Sequence, residues 1–340
     1  MRKRSFTKFL SVSLLLLFSF AVLPMQKVSA VDDPIVLDYI AINDFHGTVD
    51  DSASSSNPGI ARIQTYLLGE KAKNPNTFFV SAGDQYQGSP ISNLTYGEVV
   101  NDILAHMEML TSAVGNHEFD WGADRIPLWA KSGGFPFVAS NIVVDADKKP
   151  AEWDDYVEPY YVHNVTVDGK TIKVGFIGIA TPETSYKVAA ENVVGFTFTD
   201  PVEATKTWTT HLREVEKVDA VIALTHLGSF QKDGVISGEI VEYANGVSVD
   251  GIFSGHTHQV VNGKVNNIPI VQGQYNGRSL SKLSLSFNVE ADDTVTLASV
   301  TGSTANIRDM KASLAEDPGV LAILNEYKED LEPIPVRSLL

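Results

Sequence analysis

Residues 251–260, GIFSGHTHQV, carry two histidines two positions apart directly after a short apolar run and a glycine. Alone, an H-x-H pair also suits a solvated strand end, so its partners elsewhere in the chain decide its meaning. Asp44 and His46 stand in NDFHG, Asp84 in SAGDQYQGSP, Asn116 and His117 in VGNHEFDWG, and His226 in ALTHLG. Two aspartates, one asparagine and four histidines, His256 and His258 among them, make a set of seven nitrogen and oxygen ligands: Asp44, His46, Asp84, Asn116, His226, His256 and His258. Seven is too many for one tetrahedral ion. If one carboxylate bridges, the seven give four protein contacts to each of two ions. Imidazole-rich sets of this kind suit Mn, Zn, Co or Fe better than the oxygen-preferring Ca or Mg. The chain has no cysteine, which removes thiolate as ligand and as nucleophile.

Such residues need rigid elements that end close together. The apolar runs IVLDYIAI (35–42), TFFVSAG (77–83), TSAVG (111–115), FPFVAS (135–140), DAVIALTH (219–226) and VDGIFSG (249–255) read as strands. Helical spacing predicts helices over 60–73, around Val99–Met109, after Trp121, near Pro201–Lys217 and around Glu239–Tyr243. YYVHNVTV (160–167) and TIKVGFIGIA (171–180) flank Asp168-Gly169-Lys170, a hairpin signal. The remainder is mostly β. Strands punctuated by helices predict an α/β fold with buried, mixed sheets. Every ligand group then falls just past the C-terminal end of an apolar strand, where open α/β sheets place their ligands. The D-x-H and H-x-H spacings let alternate residues reach the same side. The DSASSSNPG stretch (51–59) reads as an exposed loop. His106, His163 and His211 have no motif around them and read as surface or packing residues.

The opening 30 residues have a basic start, an apolar run over roughly Phe9–Leu23, and Val28-Ser29-Ala30 at a plausible cleavage point. They read as a secretory signal peptide, an uncleaved signal anchor being the other reading. This predicts a secreted or cell-envelope protein beginning near Val31, without a stable membrane anchor. The segment holds five basic and no acidic residues, so its removal takes the net charge from -16 to -21. That surface repels polyanions and argues against extended nucleic-acid binding, while a cation can still attract a small anion locally.

The ordered blocks Asp44-Phe-His46, Gly83-Asp84, Gly115-Asn116-His117-Glu118, His226 and Gly255-His256-Thr-His258 resemble the calcineurin-like metallophosphoesterase superfamily. Their longer forms are similar to its bacterial exported 5′-nucleotidase and 2′,3′-cyclic-nucleotide phosphodiesterase branch, over roughly residues 35–290. The resemblance implies a four-layer α/β/β/α sandwich of two mixed sheets with a dinuclear metal centre. It implies one ion on Asp44, His46, Asp84 and His258, and another on Asp84, Asn116, His226 and His256, with Asp84 bridging. His117 is similar to the family's catalytic histidine and Asp120 to the carboxylate that orients it; a helix-start residue is the competing reading of Asp120. In such a centre a water shared by two cations has a lowered pKa, and an in-line displacement at phosphorus follows. The Tyr86–Pro90 turn reads either as a substrate border or as a plain turn.

Family members carry a second, nucleoside-binding domain. Residues 31–305 here correspond to the catalytic domain. The stretch 306–340, with amphipathic spacing at Val320, Leu321, Leu324 and Tyr327 and prolines at 333 and 335, resembles the helix leading to that domain. The resemblance thus implies a small phosphate ester or nucleotide as substrate, and a separate C-terminal substrate-binding domain as a possible partner. A non-catalytic or partner-dependent metal-binding module is the alternative.

Overall fold

The computed structural model describes residues 34–50, 56–147, 153–290 and 294–331. The segment read as a signal peptide, residues 51–55 of the Ser-rich loop and both prolines at 333 and 335 lie outside them. In chain order, the strands of the two large sheets are β1 Ile35–Ile42, β2 Thr77–Ser81, β3 Met109–Ala113, β4 Phe137–Val138, β5 Val157–Glu158, β6 Tyr160–Val167 and β7 Lys170–Ile179. They continue with β8 Ala220–Gly228, β9 Gly251–Gly255, β10 Val261–Val265, β11 Ile268–Gln272, β12 Ser279–Val289 and β13 Val295–Asn306. The main helices are α1 Ile60–Lys73, α2 Glu98–His106, α3 Arg125–Gly133, α4 Pro201–His211, α5 Glu239–Gly246 and α6 Pro318–Leu331.

The first sheet runs β13-β12-β1-β2-β3-β4-β5 and the second β10-β11-β9-β8-β7-β6. Both are mixed. β1 to β5 are parallel and β12 joins β1 antiparallel, while β7, β8, β9 and β11 are parallel between antiparallel edges. Strand alternation explains the stacking of layers. Leu37, Tyr39 and Ala41 of β1 enter a core shared with Phe176, Ile222 and Phe253 of the other sheet. Ile40 and Ile42 face the opposite way, onto Ile63 of α1, Ile103 of α2, Trp129 of α3 and Leu324 of α6. On the far side, Val221, Ala223 and Ile252 pack against Ile240 and Tyr243 of α5, with Val202 and Trp208 of α4 alongside. The result is helices, sheet, sheet, helices, the α/β/β/α order that the resemblance implies.

The sheets approach closely at Gly178 of β7. Ser140 N donates to Gly178 O at 2.7 Å, and Gly178 N donates to Ser140 Oγ at 3.1 Å. A Cβ on Gly178 would overlap the Val138 carbonyl of the other sheet.

Local departures from the sequence reading have local causes. The hairpin turn is two residues, Asp168 at φ 50 and Gly169 at φ 79, and Lys170 already pairs with Val167. The helix from Pro201 regularises only to His211, then passes through a π-helical turn, Leu212–Glu216, ended by Lys217 in the left-handed region. Of the 51–59 loop, Pro58 and Gly59 are buried, because Arg278 Nε donates to Asn57 Oδ1 and pins that end to the fold. No helix among the described residues is long and apolar enough to cross a membrane.

Candidate metal centre

The C-terminal ends of β1, β2 and β3 bring Asp44, His46, Asp84, Asn116 and His117 from the first sheet. His226, His256 and His258 come from the second. His226 differs from its expected place: it lies inside β8, not past its end, because that strand continues to Gly228. Its pairing with β9 breaks between Leu224 and Gly228, and Thr225 Oγ1 donates to Phe253 O across the gap.

Two groups of ligand atoms converge. In one, Asp44, His46 and His258 offer atoms within 4.8 Å of one another; in the other, Asp44, Asp84 and His226 do. His46 Nε2 and His258 Nε2 are 3.1 Å apart, and His258 Nε2 is 3.4 Å from Asp44 Oδ1. His226 Nε2 lies 2.9 Å from Asp84 Oδ2 and 3.8 Å from Asp44 Oδ1. Asp44 is thus the residue common to both groups in this arrangement. Asn116 and His256 border the second group; the His226 and His256 rings are 5.2 Å apart, and His256 N donates to both Asp44 oxygens at 3.1 and 3.0 Å.

The far nitrogens fix the imidazoles. His46 Nδ1 donates to Gln87 O at 3.0 Å and His226 Nδ1 to Ala82 O at 2.8 Å, which turns Nε2 of both rings into the cluster, His46 toward His258 Nε2 and His226 toward Asp84. A backbone carbonyl behind an imidazole is the usual companion of a metal-ligating histidine. His256 Nε2 donates to Glu183 Oε2 at 3.1 Å, the carboxylate version of the same support. Two buried atoms here, Asn116 Oδ1 and His226 Nε2, have no hydrogen-bond partner among the described residues, His226 Nε2 meeting Asp84 Oδ2 only as a charge contact at 2.9 Å. Buried polar atoms without partners are costly, and a cation beside them would satisfy both. The donor set therefore fits divalent ions held by nitrogen and oxygen.

The backbone is strained at the same places. Asp44 (φ 47), His46 (φ 52), Asp84 (φ 59), His256 (φ 73) and His258 (φ 60) all occupy the left-handed region that non-glycine residues avoid. Gly115 shows how tightly the loops nest, since a Cβ there would overlap Asp84 Oδ1.

Electrostatics follow from burial against charge. Burial opposes the charged forms of both Asp84 and His226, but each favours the other's ion. The Asp84 carboxyl is held well below the usual range, and His226 is lifted to about 10. Burial dominates at His46, whose pKa falls. At His117 burial again opposes charge, yet Asp120, Asp84 and Glu118 outweigh it and raise the ring to about 9. His117 Nδ1 donates to Asp120 Oδ2 at 2.6 Å, and its ring stands 5.1 Å from that of His46.

Two acidic residues act here that the sequence reading did not single out. Glu118, fully buried, accepts from the backbone N–H groups of Gly115, Asp84 and Gln85 at 2.6, 2.9 and 2.7 Å, tying the β2 and β3 loops together. Burial and the nearby Asp84 charge raise its pKa to about 7 against those donors. Glu183 supports His256 from the loop after β7, also a strand end, which was the available signal. In the Tyr86–Pro90 turn, Tyr86 is buried and stacks on Trp129 at 3.9 Å, so it is a packing residue, while Gln87 supplies the carbonyl behind His46.

The fold and this paired cluster define a metal-dependent phosphoesterase scaffold. Residues 38–260 match the calcineurin-like phosphoesterase family, and the chain belongs to it. Endonuclease YhcR of Bacillus subtilis is 29% identical over 335 residues, covering 91% of this chain and 26% of that protein. The 2′,3′-cyclic-nucleotide 2′-phosphodiesterase/3′-nucleotidase of Haemophilus influenzae is 25% identical over 367 residues, 97% of this chain and 54% of that one. The crystal structure of the calcineurin-like phosphoesterase YfkN from Bacillus subtilis superposes with a TM-score of 0.73 at 23% identity, covering 87% of this chain and 98% of that chain. The chain therefore spans between about a quarter and just over half of these two curated relatives' length.

Proposed function

We propose that this protein is a dinuclear-metal hydrolase of small phosphate esters, nucleotides foremost, acting as a 5′-nucleotidase, a 2′,3′-cyclic-nucleotide phosphodiesterase or both. The observation that carries the reading is the pair of imidazoles His46 and His226, each braced at Nδ1 by a backbone carbonyl with Nε2 turned into a cluster that includes the buried Asp44 and Asp84. By the family's pattern Asp44, His46, Asp84 and His258 would hold one ion and Asp84, Asn116, His226 and His256 the other; Asp44 also lies within reach of both groups in this arrangement. Mn, Zn, Co and Fe fit these donors. When bound, two such ions supply positive charge for the phosphoryl oxygens and lower the pKa of an attacking water. Asp120 keeps a proton on His117 Nδ1 and fixes the ring, so that His117 stabilises the phosphoryl group or gives a proton to the leaving oxygen.

Residues 1–30 direct export and are removed, which places the mature chain outside the cell or in its envelope. Residues 31–305 form the catalytic unit, and 306–340 lead toward a separate nucleoside-binding domain. The acidic surface favours small esters over polynucleotides.

The test is phosphate release from AMP, UMP, 2′,3′-cyclic AMP followed by a phosphatase, and bis-p-nitrophenyl phosphate. The protein is cleared with chelator and reloaded with Mn, Zn, Co or Ca. Turnover restored by Mn, Zn or Co supports the hydrolase. Two ions bound without turnover overturns it in favour of a partner-dependent metal-binding module.

A further inference from the structure

Three of the four candidate imidazole ligands are braced by a hydrogen bond from the nitrogen remote from the cluster: His46 to Gln87 O, His226 to Ala82 O, His256 to Glu183. His258 is the exception. Among the described residues its Nδ1 makes no hydrogen bond, and its side chain is 41% exposed, whereas those of Asp44 and His226 are fully buried. No carbonyl or carboxylate therefore braces its outer nitrogen. What lies against it is Tyr275, stacked at a centroid distance of 4.8 Å and 20° between planes.

Tyr275 is itself held. The Arg278 guanidinium lies over the Tyr275 ring at 4.2 Å, Arg278 Nη1 donates to the Tyr275 hydroxyl, and Arg278 Nε donates to Asn57 Oδ1 at 2.7 Å. The loop carrying both residues, 273–278 between β11 and β12, is fastened to the loop of another ligand. Asn276 N donates to Asp44 O at 2.8 Å. Asn43 accepts from Gly273 N at 2.9 Å, and its Nδ2 reaches Gln274 O at 2.9 Å and Asp44 Oδ2 at 2.7 Å. Gly273 permits this contact, because a Cβ there would overlap the carbonyl of Ser279. One loop thus orients Asp44 through Asn43 and His258 through Tyr275.

We propose that Tyr275, backed by Arg278, is a positioning residue for the cation held by Asp44, His46 and His258, and sets that ion's affinity separately from its neighbour's. Aromatic stacking replaces the missing hydrogen bond at His258. The neighbouring group shares Asp44 with the first, but Asp84 and His226 have their own supports in Glu118 and the Ala82 carbonyl, away from the Tyr275 ring. The proposal rests on reading the cluster as a dinuclear site, and the experiment separates failure of one from failure of the other.

The full chain, cleared with chelator, is titrated with Co(II), following bound metal by equilibrium dialysis and the ligand-field absorption. The proteins compared are the wild type, Y275F, Y275L and R278Q. The wild type takes up two ions. Y275L weakens one of them about ten- to a hundredfold, with a changed spectrum for that ion, and leaves the other as in the wild type. Y275F, which keeps the ring, restores the affinity and the spectrum, and R278Q weakens the same ion to a lesser extent. Melting temperatures in chelator show whether each variant folds, and if Y275L does not, R278Q and Y275F carry the test. Unchanged affinities for both ions in Y275L and R278Q, or equal weakening of both ions, overturns the proposal while leaving the dinuclear reading intact. A wild type that binds no Co(II) overturns both.

Discussion

Left-handed backbone at Asp44, His46, Asp84, His256 and His258 is held against a steric penalty of roughly 1–2 kcal/mol per residue, so the surrounding contacts must over-determine it. Those contacts are specific atoms, and their removal has separable effects. His117 pairs with Asp120 and lies beside the cluster rather than within it. His117→Ala is therefore expected to lower kcat by about 10²–10⁴-fold with metal content near normal; equal loss of both, measured by turnover and elemental analysis, removes the role assigned to it. Glu183 touches only His256 among the candidate ligands, through one hydrogen bond. Glu183→Gln is expected to weaken metal binding about tenfold with little change in melting temperature in chelator. Equal metal affinity in that variant assigns Glu183 to the surface instead.

At the scale of elements, the two sheets meet at one point as a glycine against a carbonyl. Gly178→Ala would push β7 from β4, and overpacking of this kind destabilises by about 1–3 kcal/mol. Urea unfolding in chelator measures it, and a loss under about 0.5 kcal/mol would mean that the sheets part there easily. The elements themselves were largely legible. β1, β2, β3 and β9 are apolar runs of strand length, each followed by chemically unusual residues, and the helices between them have clear spacing. The ligand set could be assembled because most of its members share that strand-end address. Glu118, Glu183 and Tyr275 were harder to find. Each acts across a gap in sequence, Glu183 on a residue 73 positions away, and single acidic or aromatic side chains give no spacing from which such a partner can be read. His226 was found as a residue but misplaced, since a break in strand pairing leaves no mark in an apolar run.

For the whole molecule, pH acts through a histidine remote from the cluster. His163 on β6 packs against Phe78 at 4.4 Å and accepts from the Tyr39 hydroxyl at 3.0 Å, and burial lowers its pKa from 6.5 to about 4. Between those values the unfolded chain binds a proton that the folded chain does not. The contribution is thus complete above about pH 6.5 and is lost as pH falls toward 4. Allowing for partial exposure, the loss is on the order of 1–2 kcal/mol. Denaturation in chelator at pH 7.5 and 4.5 should show a smaller drop for His163→Gln than for the wild type; equal drops would point to other groups. The division of the candidate ligands between two sheets also has a kinetic side. Asp44 and His258 are separated by most of the folded chain, so their cluster exists only once both sheets have formed and docked. Cation capture is therefore expected late in folding, beyond the rate-limiting barrier. Saturating metal should slow unfolding manyfold while leaving the refolding rate in stopped-flow nearly untouched. Resistance to opening would then come from whatever cations these ligands capture across the two sheets.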